Sequence, residues 1–76
     1  MKNPCLKTRK PGNPYEVWEG CGIKYEVLKK YQVDDNKPYA RWFVNAIGPY
    51  PEMGDMYVAE VKRFMVRTFV DPTIAS

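Results

Sequence analysis

The thiol of Cys21, set between Gly20 and Gly22 in a turn-forming composition, is the strongest nucleophile the sequence offers. A thiolate at neutral pH needs an imidazole, a helix N-terminus or a cation beside it. The chain has no histidine, and Lys24 is the only cation close to Cys21 in sequence. The commonest general base is therefore missing, and Ser76 is the only serine. Carboxylates offer little more: Asp34 and Asp35 adjoin in a turn and diverge. Glu52, Asp55 and Glu60 could turn oxygens toward a calcium ion, but their spacing matches no standard calcium loop. Two cysteines sixteen residues apart without histidine exclude a structural zinc site, and no glycine-rich phosphate motif occurs. The sequence points away from catalysis, cofactors and metals.

Binding chemistry is better represented. Eleven aromatic residues accompany twelve Lys and Arg in 76 residues. A sheet that displays Trp18, Trp42 and Tyr50 beside Lys29, Lys30 and Arg41 could stack bases and meet phosphates. Trp, Tyr and Arg also dominate protein–protein hot spots. The competing expectation is that so small a domain needs most of its aromatics for its core. The candidate partner-binding set is Lys7, Arg9, Lys10, Trp18, Arg41, Trp42 and Tyr50.

Charge divides the chain. Residues 1–14 hold Lys2, Lys7, Arg9 and Lys10 and no acid, giving +4; the other eight basic and nine acidic residues sum to −1. A whole-domain basic footprint of the nucleic-acid kind is thus absent. Pro4, Pro11, Gly12 and Pro14 deny residues 1–14 helical or central-strand geometry, so they read as an extended basic arm, either anchored to a partner or solvated. The first ten residues lack the apolar run of a signal peptide, and no stretch has the length of a membrane span. Free thiols in a reducing compartment are expected, with a Cys5–Cys21 bridge as the alternative.

The elements that would position these residues are strands. Residues 15–33 predict a β-hairpin: Ile23, Tyr25, Val27, Tyr31 and Val33 alternate with polar residues, Lys29 interrupting, and Gly20-Cys21-Gly22 supplies the turn. Tyr25, Val27 and Tyr31 are expected on one buried face. Residues 38–47 fit two templates. Apolar residues at 39, 42, 43, 46 and 47 suit an amphipathic helix, whereas Tyr, Trp, Phe, Val and Ile favour a strand. Residues 48–55, with two prolines and two glycines, read as a loop. Residues 56–61 and 64–70 read as strands around Lys62-Arg63, one helix over 55–66 being the rival. The expected fold is all-β or β-rich, a small antiparallel sheet or open barrel of four or five strands, with α+β carrying a short helix at 38–47 as the alternative. The domain is expected at residues 15–76, behind the arm. A chain of this length buries only about 60% of its unfolded surface, so partner contact is a natural supplement to its core.

Several stretches resemble a group of short uncharacterised proteins of tailed phages of actinobacteria. They are Arg9-Lys10, Asn13-Pro14-Tyr15, Val27-Leu28-Lys29-Lys30-Tyr31-Gln32, Pro38-Tyr39-Ala40-Arg41-Trp42-Phe43, Gly54-Asp55 and Tyr57-Val58, in that order over residues 9–58. Where that group carries a Ser-Pro loop with further aromatics, this chain has Gly48-Pro49-Tyr50-Pro51. The resemblance assigns no functional residue. It implies a phage accessory or structural protein. Together with the basic arm and the β-rich body, the leading expectation is a protein-binding module that acts in the host cytoplasm or the virion on a phage shell protein or a host protein. A minor capsid or decoration protein is the leading form. An inhibitor of a host enzyme and a single-stranded nucleic-acid-binding β-domain are the alternatives.

Overall fold

The structure is a computed structural model that describes residues 7–32 and 35–72. Val33, Asp34 and Cys5 lie outside the described residues, and with them part of the hairpin expectation and the Cys5–Cys21 bridge. Five strands and one helix follow in chain order: β1 (Glu16–Gly20), β2 (Ile23–Lys30), β3 (Arg41–Ile47), β4 (Glu52–Tyr57), α1 (Val58–Phe64) and β5 (Val66–Val70). The strands form one open antiparallel sheet in the order β4-β3-β2-β1-β5, which makes the fold β-rich.

The hairpin stands where period-2 alternation places it. Glu16 pairs with Val27 and Gly20 with Ile23, around a two-residue turn. Both turn residues have positive φ, 52° at Cys21 and 75° at Gly22, the signature of a type I′ turn matched to strand twist. The Lys29 interruption marks a β-bulge between Val27 and Lys29 in the pairing of β2 with β3. Leu28 is the extra residue, and Val27 and Leu28 are both fully buried. A bulge reverses the faces beyond it. Lys30 therefore joins the face of Val27, while Tyr31, expected with Val27, lies on the other face with its hydroxyl on Asp55.

Residues 41–47 are a strand, so aromatic and β-branched content prevails over the helical spacing. Two element assignments that fail are neighbours. Residues 52–55, read as loop, join 56–57, read as strand, in the edge strand β4, and residues 58–64, read as the end of one strand, Lys62-Arg63 and the start of another, form α1. A seven-residue helix without a side-chain cap has little stability of its own. It is held by Val58, Val61 and the following Met65, spaced i, i+3, i+7, which bury against the sheet. Tyr57 and Phe64, which flank the buried residues, stay exposed.

One face of the sheet carries the main core: Trp18, Val27, Trp42 and Val44, with Ala40, beneath α1. The helix crosses this face toward the hairpin turn, and a side chain at Gly20 would meet the Phe64 carbonyl at 2.8 Å. Tyr15 and Leu28 are buried outside that cluster. The arm runs past both. The Arg9 N–H donates to the Leu28 carbonyl, the Tyr15 hydroxyl donates to the Lys7 carbonyl, and the Gly12 N–H donates to the Glu26 carboxylate. Residues 7–14 are thus docked on the sheet.

Candidate functional site

Burial separates the seven candidate residues. Trp18 and Trp42 sit in the core at 9% and 1% exposure, with ring centroids 5.7 Å apart, and display nothing to a partner. The expectation of a partly exposed Trp42 is corrected by its place beneath α1. Arg9 is half-buried: its guanidinium pairs with Asp71 and lies 3.9 Å from the Tyr15 ring centroid. The Asp71 hydrogen bond raises the Arg9 pKa, so the cation serves to fasten the arm. Lys7 and Lys10 are exposed beside it. Arg41 is exposed, over the Tyr57 ring at 5.8 Å. Lys30 leaves the expected Lys29-Lys30-Arg41 group, because the bulge turns it to the opposite face and into an ion pair with Glu16.

Tyr50 alone keeps its role as a displayed aromatic, at 88% exposure. It stands in the β3–β4 loop, where Pro49 and Pro51 restrict the backbone on either side. Tyr50 and Pro49 form one wall of a hollow of about 410 Å³ whose other residues include Cys21, Ile23, Tyr25 and Glu52. The hollow is the corner of the core-bearing face that α1 leaves uncovered. A smaller adjoining hollow of about 60 Å³ shares Tyr25, Ala46 and Glu52 and extends to Gly54 and Met56. A broader hollow of about 570 Å³ beside Lys24 and Ile47 is shallower and reaches no free sheet edge.

Gly54 has no internal reason to be glycine. Its φ is not positive, and an added Cβ would meet nothing within 4 Å. A glycine inside a strand costs about 0.5–1 kcal/mol relative to alanine. Such a position often marks close approach of another backbone or ligand. Gly54 lies on β4, which has β3 on one side and no strand on the other among the described residues.

The charged residues of β4 itself are acidic, while Arg41 of β3 lies over Tyr57 at its far end. From residue 42 to residue 61 the chain carries Glu52, Asp55 and Glu60 and no Lys or Arg. Asp55 accepts a 2.6 Å hydrogen bond from the Tyr31 hydroxyl, which raises the Tyr31 pKa. Among the described residues no three His, Cys, Asp or Glu side chains gather as a metal site. Among the described residues, the corner offers apolar contact, the outer backbone groups of an edge strand and the carboxylates of Glu52 and Asp55. Tyr50 is legible in the sequence, whereas Gly54 has the local composition of a loop. The signal for β4 is weak, since Glu52, Gly54 and Asp55 have low strand preference.

Comparison with models of known protein families, with curated proteins and with solved structures finds no match.

Proposed function

We propose that the chain is a small protein-binding module whose recognition surface is the uncovered corner bounded by Tyr50, the hairpin turn and β4. The observation that carries this reading is the combination of a fully displayed, proline-flanked Tyr50 with an apolar hollow at its base. Exposed apolar surface rimmed by polar groups is how interaction sites differ from ordinary surface. A rigid aromatic anchor beside a hollow suits the centre of such a site. The resemblance to phage proteins supports a phage shell protein or a host protein as the partner, in a decoration or inhibitory role.

The nucleic-acid alternative rests on the other face, where Lys29 lies over Tyr31 and Arg41 over Tyr57, each at 5.8 Å. Glu26 and Asp55 share that face, and the loss of Lys30 leaves few cations for phosphates. Protein is favoured.

The test is a photo-crosslinking amino acid at position 50, in the cells where the protein acts, with position 68 on the far edge as control. The reading predicts a saturable adduct from position 50 that resists nuclease and is destroyed by protease, with none from position 68. A nuclease-sensitive adduct, or none from position 50, would refute it.

A further inference from the structure

The two edges of the sheet differ in a way that selects a partner. β5 carries Arg67, follows Arg63, and is bulged against β1 between Val17 and Trp18. Bulges and charges are the usual means of blunting an edge. β4 pairs with β3 in unbroken register from Arg41–Tyr57 to Ala46–Glu52. Its outer side offers a straight run of backbone groups, and its charged residues, Glu52 and Asp55, are both acidic.

Alternation along β4 sorts its two faces. Glu52, Gly54 and Met56 lie on the hollow's face, and Met53, Asp55 and Tyr57 lie on the other. A strand added beside β4 would alternate in the same way. Residues directed to the first face would meet open space at Gly54 and the apolar floor formed by Tyr25 and Ala46. Residues directed to the second would lie directly beside Asp55, with Arg41 over Tyr57 at one end and Lys29 two strands further in. Apolar side chains suit the first set and cations the second.

Deepening the protein-binding reading, and resting on it, we propose that β4 takes an extended basic segment of the partner as a sixth strand. Backbone hydrogen bonds along β4 hold the segment, apolar residues enter the hollow over Gly54, and a Lys or Arg faces Asp55, with Glu52 at the rim of the hollow adding negative charge to the same edge. This is strand addition to a free edge, in which the main chain supplies affinity and alternate side chains supply specificity. A second copy of this chain fits less well. β4 against β4 would bring acid to acid. β4 and β5 run in the same direction within the sheet, so an antiparallel pairing of β5 from another copy would put the two covered faces on opposite sides.

The experiment is an amide NMR titration at 0.15 M salt with two capped probe peptides, one alternating lysine with valine and one alternating glutamate with valine. The proposal predicts shifts confined to β4, Tyr25 and Ala46, with at least tenfold tighter binding of the lysine peptide. Asp55→Lys together with Glu52→Lys should reverse that preference. Gly54→Val should weaken binding at least tenfold while the thermal transition stays in place or rises. Absence of shifts, equal binding of both peptides, or shifts centred on β5 would overturn it. Concentration-dependent β4 shifts without peptide would overturn it in favour of a second copy. If the peptides fail while the position-50 adduct persists, strand addition falls and the protein-binding reading stands. If the peptide result holds while the adduct is nuclease-sensitive, it is the protein-binding reading that falls.

Discussion

Glu16 holds the most consequential polar contact in the core. It is 5% exposed, and its carboxylate accepts a 2.8 Å hydrogen bond from Trp18 Nε1 and an ion pair from Lys30 Nζ. Lys30 in turn lies 5.0 Å from the Trp42 ring centroid. Replacing Glu16 with methionine keeps the bulk but strands an indole N–H and an ammonium group. Breaking a buried ion pair by removing one partner costs about 3–5 kcal/mol. The Lys30 side chain keeps 17% exposure and can turn toward water, which favours the low end, about 3 kcal/mol. Lys30→Met should cost about the same, since it leaves a buried carboxylate with the indole as its remaining donor. With both replaced no unpaired charge remains, and the main residual cost is the orphaned Trp18 donor plus altered packing, about 3 kcal/mol. The double mutant should therefore be no worse than either single one, a coupling of about 3 kcal/mol. Urea unfolding of the four proteins in a common stabilising buffer measures it. Additivity within about 0.5 kcal/mol would refute the argument that these groups form one buried unit.

Three further outcomes follow from the packing. Trp42→Ala should cost about 3–5 kcal/mol by opening a core cavity, so its effect appears in the melting temperature and not as a lost surface contact. Arg9→Ala should cost about 1–2 kcal/mol, and deletion of residues 1–10 more, because the Arg9 guanidinium, its backbone N–H and the Lys7 carbonyl all fasten the arm. A truncated chain with unchanged unfolding would show the arm to be dispensable. The raised Tyr31 pKa favours the neutral phenol in the folded state, so its contribution is full below the unfolded value of about 10 and is lost as pH rises past it. Stability measured from pH 8 to 11.5 should fall more steeply in the wild type than in Tyr31→Phe, and parallel curves would contradict the Tyr31–Asp55 contact.

Local pattern carried much of the fold. The alternation from Ile23 to Val27 and the glycines around Cys21 are local signals, and the hairpin follows from them. Lys29 sitting out of phase was the visible trace of the Leu28 bulge, but which residue is extra depends on pairing with β3, a tertiary matter. The β4–α1 region misled for the same reason. Gly54, Asp55 and Pro51 resemble loop, while Tyr57, Val58 and Val61 resemble strand, and only burial of Val58, Val61 and Met65 on the sheet favours helix. The return of β5 to pair with β1 joins residues about fifty positions apart and leaves no local mark. For the candidate site, Tyr50 was legible because prolines flank it. The tryptophans were misplaced because alternation gives the face of a strand but not which face is covered. The open corner was invisible, since it exists only where α1 stops short of Ala46 and Gly54.

The recognition surface is most directly tested by carrying the position-50 photo-crosslinker into a Gly54→Val background and measuring adduct yield beside thermal stability. Valine at an open strand position is tolerated by the fold, so the melting temperature should hold or rise. The adduct should nonetheless fall at least tenfold, because the new side chain fills the space the partner uses. Undiminished adduct in a folded Gly54→Val protein would contradict the assignment of the β4 corner as the site of binding.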